Sequence, residues 1–592
     1  MSGASILKAV DLMALPSTQV KVFSGFGLMV WASGLALSWL LPVAIQPWTT
    51  FAADVWVAII TLIAAAALLW GARAPIGWHS ISCWVAALVL LPWLQYAFGL
   101  LPFAGQAWMS SLYLLGFLLA LLVGAAWEKA APLQLANALL LAIGVAAIGS
   151  VGLQLYAWTG VAESGGLGVL FSGLSSVRPS ANLGQPNQLA TFLLWGVVAC
   201  FWAYQRQLVG VWTGVLVLFF LLTGLALTQS RTGVLAATVL LAGVWFWRSL
   251  WRSRALPWAA TAGYLYLLIV PLFLGWLNSA LLLEPAETFV RVHEQSELRL
   301  SAWRLFAQAV LQRPWFGYGW IETAAAQMDV ANQFASLRGV FSHSHNLLLD
   351  LALWCGLPIG LLVSMVLVRW FWQKLRRVTK PADAALMMIL VVVGIHALLE
   401  FPLQYAYFLL PAGLAMGILN TRLGIGVVWS SPRGTLIGLW LVAVVALGVT
   451  VRDYVEVQAS YNLLRLEQGL LGQNRPPLGG PPDVTVLTHL REWIVASREK
   501  PRAAMSPQEL ADMQSMARQY PSRPFAYRLA TALALNDRPD EARVWLEKIC
   551  KFTDAEDCQL AQRSWAQDAG DDPRLAKVQW VRKMSAPSAI EK

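Results

Sequence analysis

Apolar runs of about 20 residues follow one another from near residue 22 to near residue 451, most of them separated by short loops. A run of that length crosses a bilayer as one helix, and lipid offers no partner for a free backbone N–H or C=O. A chain made of such runs is confined to packed helices. We place about thirteen spans, near 22–43, 52–71, 77–98, 107–127, 133–158, 188–204, 208–228, 234–247, 257–277, 346–373, 384–401, 403–420 and 434–451. Charge content agrees, since 12% of residues are Asp, Glu, Lys or Arg, about half the share in soluble domains. Many of the 31 tryptophans, such as Trp48, Trp70, Trp127 and Trp276, stand near the ends of runs, which suits interfacial belts as well as lipid-facing bulk. The expected class is an all-α, polytopic membrane protein whose first run, near 22–43, stays as an uncleaved anchor.

The net charge of +10 does not point to nucleic acid, because the basic residues form short clusters between apolar runs. Alternate loops carry them: Lys8, Lys21, Arg73, Lys129, Arg206, Arg248, Arg252, Arg254, Lys374, Arg376, Arg377, Lys380, Arg422 and Arg433. By the positive-inside rule these loops and the N-terminus are cytoplasmic, and an odd number of spans leaves the C-terminal region outside. The short outer loops hold only Arg178 and Arg231 as basic residues, and the long loop 278–345 falls on the same side. One membrane face therefore gathers Arg178, Asn182, Gln185, Asn187, Gln188, Arg231, Arg299, His343 and His345.

Composition changes near residue 451, which divides a membrane-embedded part, 1–451, from a C-terminal part, 452–592. In the tail charged residues rise, tryptophan thins, and Pro and Gly cluster between Asn474 and Pro482. Ala526, Leu529, Ala530 and Leu533 form one apolar stripe; Ala542, Trp545 and Leu546 form the next, with Asp537-Arg538-Pro539 as the turn. This resembles a single tetratricopeptide-type hairpin, too little for a free-standing array. The expectation is a small helical domain packed on the membrane part, in contact with a protein partner or the acceptor. Cys83, Cys200 and Cys355 read as core filling. On one straight helix Cys550 and Cys558 would be about 12 Å apart, too far for a disulfide. A helix start at Thr553-Asp554 would fold the chain back and allow one in an oxidising compartment, and both outcomes stay open.

Four stretches carry chemistry. His343-Ser344-His345-Asn346 is a titratable cluster at a membrane boundary, costly to keep and a functional candidate for that reason. Neutral imidazole accepts a proton near pH 7, so His345 is a candidate base, with Asn346 or Asp350 to orient it. A metal would need a third ligand, and only Asp350 is near in sequence; packing at a helix start is the plain alternative. Arg231, in Gln229-Ser230-Arg231-Thr232-Gly233, is either a snorkelling arginine or a binder of a lipid-linked phosphate. From Arg178 to Ala190, Asn182, Gln185, Asn187 and Gln188 offer amides for sugar hydroxyls or phosphate, with helix capping by Asn187 as the alternative. Arg299, Trp303, Arg304, Ala307 and Val310 recur at helical spacing on a helix that could lie at the interface, ended by Pro314 and Gly317-Tyr318-Gly319-Trp320. No Gly-x-Ser-x-Gly motif is suitably placed, and Gly165-Gly166-Leu167-Gly168 lacks the Lys-Ser/Thr of a phosphate loop.

Taken together, Arg178-Pro-Ser-Ala-Asn182-Leu-Gly-Gln185-Pro-Asn187-Gln188-Leu-Ala, Ser230-Arg231, Arg299 with Trp303, and His345-Asn346-Leu-Leu-Leu resemble the bacterial O-antigen ligase/polymerase superfamily. Within it they are most similar to the PglL-type protein O-oligosaccharyltransferases, as the Gln-Pro-Asn-Gln stretch and the extra tail suggest. The resemblance implies a GT-C-like helical fold in the bacterial inner membrane and an inverting glycosyltransferase without cofactor or metal. The donor would be an undecaprenyl-pyrophosphate-linked oligosaccharide, and the acceptor a Ser or Thr of a periplasmic protein such as pilin. Arg231 and Arg299 would hold the pyrophosphate and His345 would activate the hydroxyl. Arg178, Asn182, Gln185, Asn187, Gln188, His343 and Asn346 would bind substrate. Ligation to lipid A core and glycan polymerisation are the nearest rivals. A lipid-linked glycan transporter is the rival of another class, though it would keep polar groups near the midplane rather than at one face.

Overall fold

The computed structural model describes residues 25–42, 45–71, 75–160, 178–283, 289–424, 426–469 and 477–580. Lys8, Lys21, Arg73, the Gly165–Gly168 run and Asn474 to Pro476 lie outside them. Each of the thirteen expected spans holds a helix. In order these are α1 (Gly25–Leu40), α2 (Phe51–Gly71), α3 (Ser80–Ala97), α4 (Ala104–Ala130), α5 (Gln134–Trp158), α6 (Pro186–Gln205), α7 (Val211–Leu227), α8 (Arg231–Phe246) and α9 (Leu256–Ala280). After the loop helices α10 (Phe289–Gln312) and α11 (Thr323–Val330) come α12 (Leu347–Leu375), α13 (Pro381–Ala397), α14 (Ala406–Arg422) and α15 (Arg433–Gly469). Eight of the thirteen are long and apolar enough to cross a membrane: α2, α3, α4, α5, α6, α9, α12 and α15. Among the described residues the only strands are β1 (Ile76–Trp78) and β2 (Trp429–Ser431), paired antiparallel with Gly77 opposite Ser430. The fold is all-α in substance and built in a membrane.

Small residues set the tightest packing. α4 and α14 approach so closely that a Cβ on Gly124 would collide with the Leu414 carbonyl, and one on Gly417 with that of Leu121. α12 is broken at Gly356, whose φ of 76° suits glycine, two residues before Pro358. The loop after α10 occupies the break. Leu357 N–H donates to the Pro314 carbonyl (2.7 Å), and the Leu353 and Trp354 carbonyls accept from Tyr318 and Gly319 (2.8 and 3.1 Å). Freed backbone groups are thus satisfied by the segment that was expected only to end the loop helix. α10 itself buries Ala302, Leu305, Phe306, Ala309 and Val310 against Leu353, Trp354 and Cys355 of α12, while Arg304 and Ala307 face outward. It is therefore a core-facing helix and not one that simply lies at the interface.

The tail comprises α16 (Thr488–Arg498), α17 (Pro507–Gln519), α18 (Arg523–Leu535), α19 (Pro539–Phe552) and α20 (Ala555–Asp571), then a short turn of helix. α18 and α19 form the expected hairpin, and both named stripes are buried in one core. Asp554 caps α20 by accepting from the Asp557 N–H (2.8 Å), which turns the chain back and lets Cys550 and Cys558 form a disulfide with Cα atoms 4.8 Å apart. α15 runs unbroken through residue 451 to Gly469, so a helix joins the two parts. The tail docks on the loop that leads to the histidines. Arg518 makes a bidentate pair with Asp329 (2.8 and 2.7 Å), Leu337 N–H donates to the Lys551 carbonyl (3.1 Å), and Lys551 Nζ donates to the Phe334 carbonyl (2.6 Å).

Candidate active site

The polar residues of the 178–190 stretch serve several elements. Pro186 opens α6 and the Gln185 side chain caps it, accepting from the Gln188 N–H (3.1 Å). Gln185, not Asn187, is the cap, which frees the Asn187 amide. Its oxygen accepts from Ser230 Oγ (2.6 Å), and Ser230 in turn caps α8 by accepting from the Gly233 N–H (2.9 Å). Arg231 is the first residue of α8, exposed and without a hydrogen bond or ion pair to any described residue. Arg178 donates to the Thr228 carbonyl at the C-terminal end of α7 (3.2 and 3.1 Å), Asn182 to the Leu40 carbonyl (2.9 Å), and Gln188 accepts from the Tyr407 hydroxyl (2.8 Å).

The histidine pair divides. Asn346 caps α12, accepting from the Leu348 and Leu349 N–H groups (3.0 and 3.3 Å). Asp350 accepts from the Ser344 N–H (2.8 Å) and stands 3.8 Å from His343 Nδ1. Neither is bonded to His345, contrary to the expectation that one would orient it. His343 is buried, stacked on Phe401 with ring centroids 4.4 Å apart, and 3.1 Å from Gln404 Nε2. Burial holds its imidazole down at about 3, so it is neutral. His345 adopts the left-handed region at φ 59°, a conformation that costs of order 1–3 kcal/mol in a non-glycine residue and recurs at functional sites. Its Nδ1 is buried with no partner, and its ring stands edge-on to Phe341 and Phe401 (5.4 and 5.5 Å). Burial lowers the His345 pKa, the Glu400 carboxylate works against that, and Arg299 adds to it.

Glu400 joins these parts, and sequence reading passed over it. It follows α13, is 3% exposed, and receives donors from two distant segments. Oε1 accepts from Arg299 Nη2 (2.5 Å) and Asn187 Nδ2 (2.5 Å); Oε2 accepts from Gln185 Nε2 (2.6 Å) and lies 3.4 Å from His396 Nε2. His396 also meets Thr191 Oγ1 through Nδ1 (2.9 Å). The available signal was His396-Ala-Leu-Leu-Glu400 at the end of an apolar run, two ionisable groups at i,i+4 where lipid penalises them. A tally restricted to basic residues in the loops cannot see it. Among the described residues no three His, Cys, Asp or Glu side chains are grouped as metal ligands.

Beside this cluster opens an apolar cavity of about 850 Å³. His343, Glu400 and Phe401 line it at the polar end, and both Leu347 and Leu375, the first and last residues of α12, border it. The cavity therefore runs along both halves of this broken helix. His489 and Leu490 of the tail also line it. Arginines, amides and an imidazole whose Nδ1 has no partner thus stand next to an apolar slot, joined to it through Glu400.

Comparison with known proteins gives three family matches in chain order. Residues 179–202 match the model described as protein glycosylation ligase, 216–363 that of O-antigen ligase, and 384–564 that of virulence factor membrane-bound polymerase, C-terminal. A general O-oligosaccharyltransferase of Acinetobacter baylyi is 29% identical over 513 residues, 83% of this chain and 86% of the relative. A ComP-specific O-oligosaccharyltransferase of the same organism is 30% identical over 258 residues, 43% of this chain and 46% of its own length. The matched segments contain Asn187, Arg231, Arg299, His345 and Glu400, the residues that the fold draws together, and over most of its length the chain is similar to protein O-oligosaccharyltransferases, its residues 216–363 matching the O-antigen ligase model.

Proposed function

We propose that this O-oligosaccharyltransferase moves a glycan from undecaprenyl pyrophosphate to a Ser or Thr hydroxyl of a periplasmic protein such as pilin, with inversion. All thirteen helices span the inner membrane, the N-terminus is cytoplasmic, and loop 278–345 and the tail face the periplasm. The observation that carries this reading is the meeting of Arg299, the Asn187–Ser230–Arg231 helix starts and His345 around one end of the bundle, beside an apolar slot. A polyprenyl chain suits the slot and guanidinium groups suit a pyrophosphate, with Glu400 lining the slot and pairing with Arg299 beside it.

His345 is neutral near pH 7 because burial lowers its pKa, so its free Nδ1 can take the proton of the acceptor hydroxyl. The hydroxyl oxygen bonds to C1 of the first sugar as the C1–O bond to pyrophosphate breaks, on the opposite face. Arg231 and Arg299 stabilise the departing charge. His343, already neutral and stacked, shapes the wall beside the base.

The test is transfer by the purified full chain in lipid nanodiscs, with a polyprenyl-pyrophosphate glycan and a folded pilin-like acceptor, read by mass spectrometry. One glycan mass on Ser or Thr, release of polyprenyl pyrophosphate and persistence in a metal chelator are expected. Glycan on lipid A core but never on protein overturns the acceptor. Movement of the lipid-linked glycan across vesicles with no product overturns the activity.

A further inference from the structure

We infer that Glu400 is a positioning residue for transfer, holding Arg299 and, through Asn187 and Ser230, the helix start that carries Arg231 in one hydrogen-bonded frame. This rests on the reading above, in which both arginines meet the pyrophosphate. The chain of contacts is continuous: Arg299 Nη2 to Glu400 Oε1 (2.5 Å), Asn187 Nδ2 to the same oxygen (2.5 Å), Ser230 Oγ to Asn187 Oδ1 (2.6 Å), and Gly233 N–H to Ser230 Oγ (2.9 Å). Gln185 Nε2 on Oε2 (2.6 Å) ties the start of α6 to the same carboxylate.

A carboxylate is the group this position requires. Four donor-bearing side chains face it, Arg299, Asn187, Gln185 and His396, and a carboxylate alone offers acceptors on both oxygens. One charged hydrogen bond to Glu400 occupies one of the five guanidinium N–H groups of Arg299, which stays 29% exposed with donors left for an anion. Burial of Glu400 is compatible with charge because the partners are in place. The frame also reaches the proposed base. The charged or titratable groups facing His345 are Glu400, Arg299, His396 and His343, and among them only Glu400 favours the protonated imidazole.

Glu400→Gln keeps the shape but sets an NH2 among donors and removes the charge. The expected result is a fall of about tenfold or more in kcat/KM for the lipid-linked donor, and an acid limb of the pH–rate profile displaced to lower pH, because the imidazolium loses its carboxylate. Glu400→Asp keeps the charge but shortens the reach, so it should be slower than wild type with the acid limb unmoved. Both are measured on protein of unchanged elution in size-exclusion chromatography; if Glu400→Gln is not recovered folded, Glu400→Asp carries the test. Wild-type kcat/KM in the recovered variants, or a slower Glu400→Gln enzyme with an unmoved acid limb, overturns the inference. His345→Ala is run beside them. An active His345→Ala enzyme defeats the underlying reading, whereas an inactive one with wild-type Glu400 variants defeats this inference alone.

Discussion

Asp383 and Glu400 stand at opposite ends of α13, and each takes an arginine. At the first, Arg422 pairs with Asp383 and, at 2.7 Å, with Glu128, whose second oxygen accepts from the Leu133 N–H (2.8 Å). Two carboxylates hold one guanidinium that is 11% exposed. At the second, one carboxylate serves Arg299, while Arg231 nearby has no described partner. The same side-chain chemistry therefore does two things. Where two carboxylates hold one arginine the pairs fasten α4, α13 and α14 together; where one carboxylate holds Arg299, Arg231 is left without a carboxylate.

The contrast is sharpest in variants that leave one end intact. His345→Ala should lower transfer about 10²–10⁴-fold, the usual worth of a general base, with undiminished protein in the membrane. Full activity in the reconstituted assay would remove His345 from the mechanism. Arg231→Ala should also abolish measurable transfer, and Arg231→Lys should recover only part of it, since an ammonium lacks the guanidinium fork. Lysine as good as arginine would mean that Arg231 supplies charge without bidentate contact. At the other end, Arg422→Ala strands two buried carboxylates, a loss on the order of 3–5 kcal/mol. Its signature is a lower thermal aggregation temperature with unchanged transfer per folded molecule, and a selective loss of turnover would contradict the contrast.

A smaller effect concerns the tail. Burial raises the Glu322 carboxyl to about 8, although Gln519, Arg518 and Gln106 favour its charged form, and its Oε2 has no partner. The folded state then binds more protons than the unfolded one between the ordinary carboxylate range and about 8. Docking of the tail is strongest below that window and weakens as pH rises through it, by at most about 1.4 kcal/mol per pH unit. Hydrogen exchange at Leu337, corrected for the intrinsic rate, should speed up from pH 6 to 9 in the wild type and far less in Glu322→Gln. Equal pH dependence in both proteins would assign the change to another group.

The helices were legible because lipid leaves the backbone no choice. An apolar run must satisfy its own N–H and C=O groups, so each expected span holds a helix, from Gly25–Leu40 to Arg433–Gly469. Local chemistry was also readable where a few residues suffice, as in the stripes of the α18–α19 hairpin and the Asp554 cap that allows Cys550 to meet Cys558. The site was half legible. Arg231, Arg299, Asn187 and His345 stand out because polar groups at a membrane edge are costly. What connects them was not readable. Glu400 lies 101 residues from Arg299 and 213 from Asn187, and a single acid at the end of an apolar run carries no sign of who will donate to it. Sequence alone also offered Asn187 as the cap of α6 when Gln185 takes that place, and gave Asn346 or Asp350 to His345 when packing gives them to the start of α12 and to His343. Backbone satisfaction is local and follows from composition; the partner of a buried charge is decided by which helices come together, and only the tertiary structure holds that answer.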